Sequence, residues 1–228
     1  LDWSLDPDFD DFEENYDAFT EEEVQKIFKH LAPDNKLRYV ALTAFFTGAR
    51  VGELLAIERN KDIKNNKLRI NKTVRRVRIF EDADNYYYEF KVTRPKSQSS
   101  TRVIPLNDVL VNELKQLNKL IAIEKLKKGP DYRELNLLFP SENGNYLDSG
   151  SLLKEWKKAL KEIGIEYKKF HALRDTCASL MSKNGVPIEV VSKLLGHSSI
   201  RTTDKYYINI DKERKDEGIK KLENIISF

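Results

Sequence analysis

The sequence predicts an α+β domain that is mainly α-helical and carries one small three-stranded antiparallel sheet. Three observations carry that reading. Apolar residues recur at intervals of three and four through most of the chain, the period falls to two only between Leu68 and Leu106, and capping or breaking residues stand where the helical stretches begin and end.

Residues 1–19, LDWSLDPDFDDFEENYDAF, hold no sustained period and read as an acidic linker or arm. Thr20 followed by Glu21, Glu22 and Glu23 predicts a helix start, because a threonine hydroxyl can accept from the N–H three residues on while the glutamate there reaches back. Val24, Ile27, Phe28 and Leu31 then fall on one face. Pro33 to Asn35 interrupt, Leu37 to Phe46 is a second, apolar helix, and Gly48 punctuates before Val51 to Ile57 resumes. Leu68 and Ile70 alternate with charged residues. After acidic turn residues at 81–85, Tyr86, Tyr88, Phe90 and Val92 alternate in a second strand, and Arg102 to Leu106 is the third, set off by the polar PKSQSS. Helices return over Val109–Lys128, Ser151–Ile163, Leu173–Lys183 and Pro187–Leu195, with Gly164, Gly185 and Gly196 at ends and Pro187 at a first-turn position. One domain over residues 20–211 follows. A final amphipathic helix is expected over 212–228, with Ile219, Leu222, Ile225 and Ile226 as its stripe, packing either in cis as core or on a neighbouring copy.

Composition narrows the function. With 228 residues, 40% of them hydrophobic, the chain can bury one good core, or one large and one small lobe. No apolar run approaches the roughly 20 residues of a spanning helix. The lone Cys177 precludes an internal disulfide and a zinc cluster, and no metal or cofactor is expected. The chain starts at Leu1 with no charged-then-apolar leader, so it reads as a piece of a longer, intracellular protein. Charge is unevenly spread. Residues 1–25 hold eleven of the 37 carboxylates and no Lys or Arg, so the rest sets 40 basic side chains against 26 acidic ones. A body that basic favours a polyanionic partner through counterion release, and the arm is either a solvated terminus or a mask over that face.

Several side chains are chemically suggestive, and each also has a plain structural reading. Arg50 follows Gly48 at a break between apolar helices, where it could emerge from a braced turn or simply pair with Glu53. His171 and Arg174 stand three apart and share a helical face, within reach of one phosphate. His197 directly follows Gly196, a position equally suited to capping. Tyr206 and Tyr207 end a Thr-rich stretch and could be packing. Taken together they form a set: arginine forks match phosphate oxygens bidentately, histidine moves protons near neutrality, and a tyrosine phenol can hold a phosphoryl group covalently.

The order TGARVGEL, a hairpin lysine, HALR, LLGH and TTDKY resembles the catalytic domain of the tyrosine recombinases, the phage and mobile-element integrase family. The resemblance covers roughly residues 20–210 and implies that family's catalytic-domain fold. It also implies roles. Arg50 and Arg174 would hold the nonbridging oxygens of a phosphodiester, His171 would act as base toward the phenol, and His197 would donate to the phosphate. The stretch RPKSQSSTRVIP gives Lys96 the role of protonating the departing 5′ oxygen, with Lys91 as the other lysine in reach. Tyr206, nine residues after His197, takes the nucleophile position, and Tyr207 is the runner-up. A phenol with pKa near 10 is only about one part in a thousand ionised at pH 7, so the site must assist its deprotonation. The implied product is a 3′-phosphotyrosyl link, resealed by another 5′-hydroxyl with neither metal nor ATP.

What the resemblance implies about partners is equally specific. The expected substrates are double-stranded DNA attachment sites, engaged by a homotetramer of the longer protein, with an excisionase or DNA-bending host factor assisting, no membrane, and a cytoplasmic, nucleoid-associated setting in a bacterial host. The family's N-terminal core-binding domain does not fit in residues 1–19. The alternatives are a type IB topoisomerase, a catalytically silent DNA-binding module, and a metal-dependent nuclease, of which the last is separable by its sensitivity to EDTA.

Overall fold

The computed structural model describes residues 17–82, 85–94 and 100–207. Residues 1–16 of the expected arm, Lys96 and the expected C-terminal helix lie outside the described residues.

Helix α1 (Glu21–His30) begins as the sequence predicts: Thr20 Oγ1 accepts from the Glu23 N–H at 3.1 Å and Glu23 Oε2 accepts from the Thr20 N–H at 2.8 Å. Asn35 caps α2 (Lys36–Thr47), which buries Leu37, Tyr39, Val40, Ala41, Leu42, Thr43, Ala44 and Thr47. These positions go round the helix rather than along one stripe, so α2 is the axis of the domain. Helices α5 (Asp108–Lys128), α6 (Ser149–Glu162) and α7 (Ala172–Lys183) pack around it. Trp156 of α6 is fully buried between Phe19 and Phe170, with ring centroids 5.8 and 5.2 Å away, and its indole N–H donates to the Lys168 carbonyl at 3.0 Å.

The chain turns off α2 through the short α3 (Val51–Leu54) and α4 (Arg59–Asp62) into β1 (Ile63–Lys64) and β2 (Lys67–Ile70). Asn65 and Asn66, both with positive φ, make the two-residue turn between those strands, a conformation asparagine tolerates. The three-stranded antiparallel sheet has the order β1-β2-β5, with β5 at Arg102–Pro105 and Leu68 opposite Ile104.

One predicted strand belongs elsewhere. Tyr86–Thr93, β4, pairs along its length with β3 (Thr73–Phe80), from Thr73 opposite Thr93 to Phe80 opposite Tyr86, as a separate hairpin inserted between β2 and β5. The alternation of Tyr86, Tyr88, Phe90 and Val92 marks no buried face, since Tyr86, Tyr88 and Val92 are exposed. The two tyrosines have arginine partners: the Arg76 guanidinium lies 4.0 Å from the Tyr88 ring centre and that of Arg78 4.4 Å from Tyr86.

Helix α8 (Ile188–Leu195) and α9 (Arg201–Asp204) close the domain over α7, where Ala178, Val191, Leu195, Tyr206 and Tyr207 form a second, smaller core.

Candidate active site

The site lies where α2, α3, α7, α8 and the end of the sheet converge, and two of its arginines, Arg174 and Arg102, are held by neighbours from other elements. Gly48 ends α2 in the left-handed region, φ +60°, and its carbonyl accepts from Arg174 Nη1 at 2.5 Å. A Cβ on Gly48 would meet Leu195 Cδ2 at 2.3 Å, so only glycine lets α2, α7 and α8 approach this closely. Cys177, against the same spot, has its thiol pushed up to about 12 by burial and behaves as an apolar filler.

Two residues after Gly48, Arg50 caps α3. Its backbone N–H donates to Glu53 Oε2 at 2.9 Å and its Nη1 to Glu53 Oε1 at 3.1 Å, while the side chain stays 43% exposed. The Glu53 partnership read from the sequence is therefore present, and it aims the guanidinium outward rather than consuming it. Arg102, at the start of β5, grips the same carboxylate with Nη2 at 2.9 Å and reaches the Leu194 carbonyl with Nε at 2.7 Å. Burial pushes Glu53 up, but the Arg102 bonds and charge, with those of Arg50, outweigh it and hold the carboxyl below its ordinary range.

Arg174 is 2% exposed, and its Nη2 has no hydrogen-bond partner among the described residues. Burial, then the like charges of Arg50 and Arg102, lower this guanidinium to about 10. His197, straight after the left-handed Gly196, has Nδ1 2.8 Å from the buried Thr203 hydroxyl. Burial, followed by the charges of Arg174 and Arg50, pushes it down to about 4. His171 caps α7 on the solvent side. Burial of its ring lowers it and Asp175 opposes, but Arg174, Arg50 and Lys205 leave it below its ordinary value. Burial, and then a cluster of cations, thus lowers both imidazoles, and a bound anion would oppose the cations' share.

The two tyrosines part company. The Tyr206 phenol donates to Asp175 Oδ1 on α7 and stands close enough to Arg174 to influence its charge. The Tyr207 phenol turns away and donates to the Val186 carbonyl at 2.5 Å. Lys91 lines an open cleft of about 480 Å³ together with Arg50, Arg75 and Arg94. The structure thus brings Arg50, His171, Arg174, His197 and Tyr206 to one place. Sequence reasoning passed over Asp175, Lys205, Thr203 and the anchoring role of Arg102. The available signal for Asp175 is its position one helical turn after His171, on the same face.

A mainly helical domain thus gathers clustered arginines, two imidazoles of lowered pKa and a phenol at one place. The chain matches the phage integrase family over residues 17–214 and belongs to it. It is 35% identical over 217 residues to a "tyrosine recombinase XerC-like" protein of Caldanaerobacter subterraneus subsp. tengcongensis, covering 93% of this chain and 55% of that protein. To the integrase of Staphylococcus phage L54a it is 28% identical over 222 residues, covering 92% and 60% respectively. The chain therefore spans little more than half the length of these relatives. Among solved structures, the Tn1549 transposon integrase in complex with circular intermediate DNA superposes with a TM-score of 0.64 at 20% identity, covering 88% of this chain and 66% of that one. XerA recombinase does so with 0.62 at 21%, covering 84% and 60%. These two likenesses bear on the fold.

Proposed function

We propose that this chain is the catalytic domain of a site-specific DNA recombinase, an integrase that cuts and rejoins DNA strands through a 3′-phosphotyrosyl intermediate to integrate or excise a phage or other mobile element. The observation that carries this reading is Arg174: a buried guanidinium with an unengaged Nη2, beside Arg50 and the Tyr206 phenol, is what a phosphodiester would complete. A surface that only binds DNA has no use for a buried arginine near a buried phenol.

In this reading Arg50 and Arg174 hold the nonbridging oxygens and stabilise charge as the phosphorus becomes five-coordinate. The neutral His197 is oriented by Thr203 and donates to the phosphate from Nε2. Tyr206 Oη bonds to phosphorus, the bond to the 5′ oxygen breaks, and Lys96 supplies that oxygen's proton, with Lys91 as the substitute donor. His171 stands at the mouth on the proton-accepting side. Since the phosphotyrosyl ester conserves the energy of the broken linkage, an incoming 5′-hydroxyl reverses the step, and no step is routed through a metal.

The partners follow from the same reading: duplex attachment sites, a homotetramer formed by the longer protein on a pair of sites, and an excisionase or DNA-bending host factor, at the bacterial nucleoid. Residues 1–19 serve as an acidic linker or arm, 20–211 as the catalytic unit and 212–228 as a C-terminal amphipathic helix that packs in cis or docks on a neighbouring copy. No helix among the described residues is long and apolar enough to cross a membrane.

The test is covalent capture. Incubated in EDTA with nicked suicide duplexes, the chain is expected to form a protein–DNA adduct that survives a denaturing gel. Tyr206→Phe abolishes it and Tyr207→Phe retains it, at some loss of stability from the missing Val186 bond. An adduct that disappears with EDTA, or persists in Tyr206→Phe, contradicts the proposal.

A further inference from the structure

We propose that Asp175 is itself a catalytic residue, the carboxylate that orients the Tyr206 phenol and takes its proton as the oxygen attacks phosphorus. The inference rests on the reading of Tyr206 as nucleophile.

The geometry points to it from several sides. The Tyr206 O–H donates to Asp175 Oδ1, and the two side chains are buried together, with only 3% and 8% of the residues exposed. Helix α7 holds both ends of the contact: Asp175 lies in its first turn, and Ser182, near its other end, donates its hydroxyl to the Tyr206 carbonyl at 2.8 Å. The donor is thus fastened, by backbone as well as phenol, to the helix that carries the acceptor. Lys205 completes the arrangement, with Nζ 3.7 Å from Asp175 Oδ1 and 4.8 Å from the centre of the Tyr206 ring. Among the described residues, His171 on α7 lies within electrostatic reach of Asp175 and Arg174 within reach of Tyr206, while Arg50 at the head of α3 acts on both His171 and Arg174.

The base role assigned to His171 from the sequence therefore passes to Asp175. His171 lies on the solvent side of the site, and the phenolic hydrogen bond is made to the carboxylate. In the step, the Oη–H bond breaks as Oδ1–H forms, the Oη–P bond forms as P–O5′ breaks, and the 5′ oxygen leaves with the proton supplied by the lysine acid. On resealing, Asp175 returns its proton to Tyr206 and the balance is restored. A positioned base of this kind contributes roughly 10²- to 10⁴-fold.

Two measurements test the assignment. Adduct formation is followed from pH 6 to 9 on a pool of nicked suicide duplexes randomised around the cleavage position, for wild type, Asp175→Asn, Asp175→Glu and Tyr206→Phe, with thermal melts and gel shifts on the same preparations. Asp175→Asn is expected to slow adduct formation by about 100-fold or more at pH 7. Its deficit narrows about tenfold per pH unit as the phenol ionises unaided, and Asp175→Glu recovers part of the rate. On duplexes with a 5′-bridging phosphorothiolate, whose leaving group needs no acid, the deficit persists. A wild-type rate in Asp175→Asn, or a deficit constant with pH and shared by Asp175→Glu, overturns the proposal. An adduct in Tyr206→Phe instead sinks the nucleophile reading.

The second measurement needs no DNA. With carbon-13 at tyrosine Cζ, the Tyr206 resonance, assigned from Tyr206→Phe, is expected downfield of its position in Asp175→Asn, because a carboxylate acceptor loads charge on the phenol. Coincident resonances in the two proteins overturn the proposal whatever the duplex pool does.

Discussion

His197 shows how a single side chain is tuned by its surroundings. Its ring is held neutral down to about pH 4 by burial and by Arg174 and Arg50, whereas in the unfolded chain it takes a proton near 6.5. Between those values the unfolded state binds the extra proton, so this residue makes stability fall as pH drops from about 6.5 toward about 4. Melting temperatures across that window are expected to decline less steeply in His197→Gln, and equal slopes would show that the ring does not titrate as described. A bound phosphate anion reverses the local field, so wild type should take up protons on binding DNA near pH 6. At this scale the sequence was informative where residue type and spacing form a motif: Arg50, His171, Arg174 and His197 lie near one another in the fold. The contact of Asp175 with Tyr206 was illegible because it spans 31 residues and depends on how the chain after α9 packs on α7. Glu53 was legible as a partner for Arg50, but its second arginine arrives from β5, 49 residues on.

Elements were legible by period and their pairing was not. The helices appear close to where apolar spacing and caps put them, and the capping box at Thr20 forms in full. The sheet differed because alternation reports a strand, not its neighbour. Thr73–Phe80 carries Arg75, Arg76 and Arg78 among its apolar positions, which hid it as a strand, and with it the true partner of Tyr86–Thr93. In β4 only Phe90 of the alternating aromatics packs on the core, and Tyr86 and Tyr88 carry arginines. On a strand, residues two apart recur about every 6.8 Å, twice the 3.4 Å axial spacing of phosphates along one DNA strand. Arg76 and Arg78, each stacked on a tyrosine, offer charges already desolvated on one side and low in conformational freedom. Replacing both with alanine is expected to weaken DNA binding uniformly across sequences and to reduce the slope of log K against log salt by about 2. A filter-binding salt series reads this directly, and an unchanged slope would remove the hairpin from the DNA interface.

The whole molecule is organised around one crowded point. At Gly48 the axis helix ends, Arg174 is anchored and Leu195 of α8 presses in, so main core, smaller core and site share a single contact. Gly48→Ala must place a side chain in the left-handed region and displace Leu195, at a cost of about 2–4 kcal/mol. The urea midpoint is expected to fall accordingly, and adduct formation to fall with it. A stable but inactive Gly48→Ala, or an active and unstable one, would show that the two are separable. That coupling was invisible in the sequence, where Gly48 reads only as punctuation, because it depends on three helices meeting. Its consequence concerns how such a domain can diversify. The residues proposed to make and break the bond are tied to the backbone at the centre, while the inserted hairpin hangs from it as a separate two-stranded unit and, in the proposed function, is at liberty to change. A protein built this way is re-aimed without being re-tooled.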